Sequence, residues 1–309
     1  MKKTIKAGLI LTFASICLMG CTNDEAMTSS QVEYQNVNIS FFDATIGRMG
    51  NLSTKADDNA TALSQSFKRL DVALIPENKV TKDEVTEDKI YKFTQSSSEK
   101  DFGNVTMRVP TGDYTLVGIA HKRKDDTPSA DIKSAEDVWF ENNIVGDVAY
   151  IKQPITVKTS STTATTCSLK RAVALFRIKC LDDIPENASI VHFKIDKDCS
   201  FVFNPTTGYA NNSTGVTVSF GVNKSADDPK EGRVFDVYVF PAKETEKVNI
   251  TVTTVDKDKK VLNTMQFDDV TLQLNHVTTY TGKLFTAKED MSFTFADGEL
   301  TSSGEDKNF

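Results

Sequence analysis

From Val37 onward the chain alternates apolar and polar residues in one segment after another, and that pattern restricts it to strands. In "NVNISFF", Val37, Ile39 and Phe41 alternate with Asn38 and Ser40. In "FKRLDVALI", Leu70, Val72 and Leu74 share a face, as do Val105, Met107 and Val109 in "NVTMRV". Successive side chains of a strand point to opposite faces, so each segment buries one face and wets the other, a period that a helix of 3.6 residues per turn does not present. "VPTGDYTLVGIAH" differs: a turn at Pro110 to Asp113 leads into Tyr114, Leu116, Val117, Ile119 and Ala120, apolar on both faces, as a central strand requires.

The small polar stretch Thr159 to Thr166, "TSSTTATT", has no apolar period and reads as a linker. Beyond it the alternation restarts. "LKRAVALFRIKC" places Ala172, Ala174, Phe176, Ile178 and Cys180 on one face, with Arg171, Arg177 and Lys179 on the other. "SIVHFKID" and "GVTVSF" repeat the pattern, followed by "VFDVYVF", "KVNITVTTV", "DVTLQLNH" and "TTYTGKLF", each short and bounded by turn residues. The tail "EDMSFTFADGEL" alternates Met291, Phe293 and Phe295 with Ser292 and Thr294, giving an extended strand with one apolar edge. Two β-sandwiches in tandem, residues 35–160 and 167–309, account for this arrangement. Helix is expected only at Ser134 to Asn142, where the single tryptophan, Trp139, reads as a core or edge plug.

The N-terminus is of another kind. Lys2, Lys3 and Lys6 precede an uncharged, mostly apolar segment from Ala7 to Gly20, which reads as a secretory signal peptide over residues 1–20. A spanning helix needs roughly 20 apolar residues, and this run stops sooner, at Cys21 and then Asp24. Leu18, Met19, Gly20 and Cys21 match the bacterial lipobox, in which the cysteine thiol takes diacylglycerol; an ordinary signal peptide with an incidental cysteine is the alternative. Each acyl methylene buried in a bilayer contributes about 0.8 kcal/mol, so two or three chains would hold the protein permanently, with residues 21–34 as the tether. Without its leader the chain carries 33 basic and 43 acidic residues, a net charge of −10, which excludes a nucleic-acid footprint.

Few residues suggest chemistry. His121, His192 and His276 are far apart and form no HExxH or HxH pair, and there is no GxSxG elbow, GxxxxGK loop or GxGxxG turn. The acids of "KDDTPSAD" and "DKDKK" sit in turns and lack the glycine and closing glutamate of a calcium loop. With Cys21 lipidated and Cys17 in the leader, Cys167, Cys180 and Cys199 remain; they read as small buried residues, with a Cys180 to Cys199 bridge as the alternative. The sequence selects no catalytic residue, no metal ligand and no cofactor. A glycan binder should expose aromatic rings, and besides Trp139 the candidates are Tyr91, Tyr150 and Tyr209.

Taken in order, the lipobox, "NVNISFF", "GRMGNLSTKADD", "RLDVALI", "VPTGDYTLVGIAH", "LKRAVALFRIKCLD" and "LNHVTTYTGKLF" resemble the fimbrillin superfamily of Bacteroidota surface pili. The acidic "TNDEA" after Cys21 likewise resembles the surface-export tract of lipoproteins in that phylum. The resemblance implies an all-β fold of two transthyretin-like Greek-key sandwiches, no enzymatic activity, anchoring in the outer membrane, and other fimbrial subunits as partners in adhesion. It also implies proteolytic processing after a basic residue downstream of the first strand, for which Arg48 and Lys55 are the candidates. The apolar row Met291, Phe293 and Phe295 of the tail is the candidate donor to a neighbouring subunit's open sheet, with pairing inside its own domain as the alternative. A surface lipoprotein that binds glycan or a host ligand without assembling is the competing reading.

Overall fold

The computed structural model describes residues 32–43, 63–77, 90–123, 129–159, 161–222, 233–285 and 293–300. The first half contains β1 (Tyr34–Asp43), β2 (Arg69–Pro76), β3 (Tyr91–Ser96), β4 (Asn104–Pro110), β5 (Gly112–Lys122), β6 (Ala130–Ser134), β7 (Asp137–Phe140), β8 (Asp147–Val157) and β9 (Thr163–Arg171). The second contains β10 (Ala174–Cys180), β11 (Ala188–Ile195), β12 (Cys199–Ser200), β13 (Phe203–Asn204), β14 (Tyr209–Ala210), β15 (Val216–Gly221), β16 (Val234–Pro241), β17 (Thr245–Asp256), β18 (Val261–Gln273), β19 (His276–Gly282) and β20 (Phe293–Glu299).

The first sheet runs β3-β2-β5-β8-β9-β1-β4 and folds over on itself. Its turning point is the β8/β9 pairing, which holds at only Ala149↔Arg171 and Tyr150↔Lys170. Further along β8 comes Pro154, which has no N–H to give; it is tolerated because β8 has parted from β9 there and pairs only with β5. Where the backbones separate, the Gln153 side chain bridges them by donating to Thr165 Oγ1 at 3.1 Å. Leu70, Val72, Leu74 and Leu116 from one layer then pack against Val37, Ile39, Phe41, Val105, Val109 and Leu169 from the other. The alternation in β1, β2 and β4 is thus a record of which residues face this core.

Two further sheets, β12-β16-β10-β19-β20 and β15-β11-β17-β18, enclose the second core. Phe176 lies at its centre, with ring centroids 6.3 Å from Phe193, 6.0 Å from Phe267 and 5.8 Å from Tyr280. Each such fully buried phenylalanine contributes about 1.5–3 kcal/mol relative to an exposed one. The fold is all-β, built from layered sheets. A third buried cluster joins the halves: Phe140 and Tyr150 from the first meet Phe203 and Phe240 from the second, beneath a small sheet of order β14-β13-β7-β6.

Two local expectations are overturned. Thr163 to Thr166, read as linker, begin β9 and pair in parallel with β1 from Val37↔Thr163 to Ser40↔Thr166. The threonines among them satisfy the strand period as well as apolar residues do, because Cys167 and Leu169 further along supply the buried face. "SAEDVWFEN" is not a two-turn helix: β7 takes Asp137 to Phe140, and only Glu141–Asn143 form a 3-10 turn, with Asn142 at φ 58°. Val138 and Phe140 point into the third cluster, and Trp139 between them is 38% exposed, so it plugs no core.

Candidate functional site

Two strands carry the features expected of an assembling subunit, one at each end of the described chain. β1 is the first of the described strands in sequence, yet it lies inside its sheet. It pairs antiparallel with β4 from Tyr34↔Pro110 to Ser40↔Asn104 and parallel with β9 from Val37↔Thr163 to Asp43↔Leu169. Val37, Ile39 and Phe41 are at most 1% exposed. The Phe41 ring occupies space that a side chain at position 118 would need, since a Cβ built on Gly118 falls 2.5 Å from its Cε1 atom. Removing β1 would therefore strip the inner edges of both β4 and β9 of their hydrogen-bond partners and open an apolar slot.

The opposite side of this folded sheet is also incomplete. The outer edges of β3 and β4 approach without pairing and leave a cleft of ≈ 350 Å³ over Tyr91, Phe93, Met107 and Val109. Tyr114 beneath it donates its hydroxyl to the Pro110 carbonyl at 2.8 Å. Burial, and then the neighbouring Tyr91 and Tyr34, push its pKa up to about 12.

β20 is an edge strand, paired antiparallel with β19 from His276↔Glu299 to Gly282↔Phe293. Phe293 turns inward, 5.1 Å from the Phe267 ring, whereas Phe295 is 57% exposed, with its ring 5.5 Å from that of Tyr280. Two of the three expected donor residues thus lie on a strand that completes its own sheet; Met291 lies outside the described residues, as do Cys21, Arg48 and Lys55.

The far end of β20 is tied down by a contact the sequence pattern did not reveal. Leu300 N–H donates to the Asn275 carbonyl at 2.9 Å, the Leu300 carbonyl accepts from Arg171 Nη1 at 3.0 Å, and its side chain packs on the third cluster. Arg171 was expected on a wet face, but its side chain is 1% exposed. It forks onto Asp147, Nε to Oδ1 at 2.8 Å and Nη2 to Oδ2 at 2.9 Å. Burial alone disfavours the guanidinium charge; the Asp147 carboxylate, with Asp43 beyond it, overrides that and raises the Arg171 pKa.

A second buried polar group lies between β2 and β5. His121 Nε2 and Asp71 Oδ2 are 2.9 Å apart, and the same carboxylate accepts from Ala130 N at 2.8 Å and, through Oδ1, from Thr94 Oγ1 at 2.6 Å. Both residues are at most 2% exposed, and the His121 ring meets Phe140 edge-on at 5.4 Å. A histidine–aspartate couple sealed in this way holds β6 against the sheet and has no access to a substrate. Cys167, Cys180 and Cys199 are buried free thiols whose burial pushes each pKa up to about 12. Among the described residues no group of three His, Cys, Asp or Glu side chains could hold a metal ion, and no helix is long and apolar enough to cross a membrane.

Similar solved structures include a candidate adhesin from Bacteroides ovatus, 14% identical, aligned over 82% of this chain and 88% of its own, at a TM-score of 0.47. Others are a candidate polysaccharide-binding protein from Bacteroides thetaiotaomicron (13% identity, 82% and 92%, TM-score 0.45) and the fimbrial anchor protein Mfa2 from Porphyromonas gingivalis (10% identity, 85% and 95%, TM-score 0.38). No curated protein matches the sequence. The family described as "Family of unknown function (DUF6562)" matches residues 77–298, more than two thirds of the chain, and the chain belongs to it.

Proposed function

We propose that the chain is a structural subunit or anchor of a surface fimbrium, exported as an outer-membrane lipoprotein through Cys21 and engaged in cell adhesion. The observation that carries this reading is the position of β1. A strand that comes first among those described, is buried at its core and is followed in sequence by Arg48 and Lys55 can be cut away as a unit. Its loss leaves paired, unsatisfied edges that strongly favour a replacement strand. In a stalk subunit, cleavage after Arg48 or Lys55 opens that slot, and a strand bearing Met291, Phe293 and Phe295 from a neighbour fills one like it. In a tip or anchor subunit β20 stays on its own sheet, an arrangement that the Arg171 contact to Leu300 favours.

The test is to express the full precursor in a Bacteroidota host, wild type and with Arg48 and Lys55 both changed to Ala, and to probe surface extracts on unboiled SDS gels. The reading expects the wild-type chain in high-mass ladders. It fails if the chain is monomeric in every surface fraction while its lipid anchor is intact. The second reading, a surface lipoprotein that binds glycan without assembling, is supported by the outward-facing Trp139.

A further inference from the structure

The small sheet over the junction has one buried face and one open face. Val138, Phe203 and Ala210 pack inward, and the register Val138↔Phe203 and Phe203↔Ala210 puts them in one row. Alternation along each strand then directs Asp137 and Trp139 of β7, Asn204 of β13 and Tyr209 of β14 outward. Trp139 and Tyr209 lie two strands apart, about 10 Å in the hydrogen-bonding direction.

Trp139 is held rather than loose on this face. Its indole N–H donates to Asp137 Oδ1 at 2.9 Å, and Asn211 Nδ2 donates to the same oxygen at 3.0 Å. One ring face is capped by the Lys133 ammonium, 4.4 Å from the centroid. A cation settles there because the face of an aromatic ring is electron-rich, and at an exposed site that attraction is weak enough to be displaced. The polarised C–H groups on the flat side of a sugar ring offer the same face a distributed positive edge. A sugar stacked there would leave Lys133, Asp131, Asp137 and Asn211 around its rim as hydrogen-bonding partners for hydroxyls.

Charge narrows the ligand. Although the chain is acidic overall, this patch carries Lys92 and Lys133 against Asp131 and Asp137, and Lys92 is already paired with Asp131 at 2.9 Å. A patch that balances its own charges suits an uncharged, hydroxyl-rich partner better than an acidic one. The span between the two aromatics suits an oligosaccharide better than a single sugar.

We propose that the outer face of the β6-β7-β13-β14 sheet binds an uncharged glycan chain, with Trp139 as the stacking platform and Asp137 and Asn211 as the residues that fix it. Binding needs no assembly, so it stands or falls separately from the fimbrial reading. Trp139 is the only tryptophan in the chain, which makes intrinsic fluorescence a direct reporter. The mature protein is titrated with neutral manno-, gluco-, xylo- and galacto-oligosaccharides, with polygalacturonate oligomers as the acidic arm, and the same ligands are followed by calorimetry. The expected result is a saturable emission change with at least one neutral oligosaccharide. Calorimetry should then show at least tenfold weaker binding for Trp139→Ala, and a smaller loss for Trp139→Phe and for Asn211→Ala. Trp139 is exposed, so a near-wild-type melting transition of Trp139→Ala confirms that folding is intact. No response to any neutral oligosaccharide, binding only of the acidic oligomers, or binding that survives Trp139→Ala overturns the proposal.

Discussion

Replacing Phe41 by alanine and Gly118 by alanine, singly and together, tests whether β1 sits where its register places it. Phe41 is 1% exposed, and its ring lies over a glycine of the adjacent layer. Truncating a buried phenylalanine to alanine costs about 3–5 kcal/mol, through lost burial and the cavity left behind. The change Gly118→Ala inserts a methyl 2.5 Å from Phe41 Cε1 and 3.0 Å from Ile151 Cγ2 on a central strand. Neither neighbour can move far, so overpacking costs about 1–3 kcal/mol. In the double variant the new methyl enters space that the ring has vacated, so the tighter clash, with Phe41, is removed and only the contact with Ile151 remains. The two changes should therefore fall short of additivity by about 1–2 kcal/mol. Urea unfolding of the mature chain measures this, provided the denaturation curves of all four proteins share one slope. Additivity within about 0.5 kcal/mol would mean that Phe41 does not rest on Gly118, and the account of β1 as an inserted strand would lose its basis.

Arg171→Leu should cost about 3 kcal/mol, since it leaves Asp147 and the Leu300 carbonyl without their buried partner, and Arg171→Leu with Asp147→Leu should recover most of that. Hydrogen exchange resolved to peptides should show residues 293–300 losing protection first in the single variant; unchanged exchange there would refute the tie between Arg171 and β20. Cys167, Cys180 and Cys199 should resist a thiol reagent at pH 8 until the chain is unfolded, because burial keeps them protonated. Their folded pKa values lie above those of the unfolded chain, so the native state holds protons that the unfolded state releases. Stability should accordingly fall as pH rises from about 9 towards about 12, and a flat profile there would contradict the burial. Cys21→Ala should abolish lipid labelling and move the protein from membrane to soluble fractions; unchanged membrane retention would sink the lipoprotein reading.

Strands with a wet face were legible in the sequence because alternation reports which residues share a face. It does not report what covers that face. Arg171 alternates with the apolar Ala172 and Ala174 in the sequence, but β9 ends at Arg171 and sets it in step with the buried Cys167 and Leu169, where the Leu300 carbonyl, 129 residues further on, accepts from it. Asp71 is likewise opposite Leu70 and Val72, and is buried because β6 crosses over it and donates Ala130 N–H. The two-faced apolar pattern of β5 was the one available hint that something lay on that side of the sheet. β8 escaped notice because Lys152, Gln153 and Pro154 interrupt its period at the place where it leaves β9. The polar start of β9 read as linker because threonine suits both coil and strand, and the choice was made by β1 alongside it. Trp139 read as a plug on the premise of a helix; on a strand its neighbours Val138 and Phe140 take the buried side.

The central claim is that β1 is a detachable strand in a chain that assembles. It is tested most directly by N-terminal sequencing of this protein recovered from SDS-resistant surface ladders, together with peptide mapping across residues 34–43. The account predicts that the chain is present in those ladders, either beginning just after Arg48 or Lys55 and lacking residues 34–43, or beginning at lipidated Cys21 and confined to the membrane-attached end. Recovery of the chain solely as a monomer, with residues 34–43 intact, would contradict it.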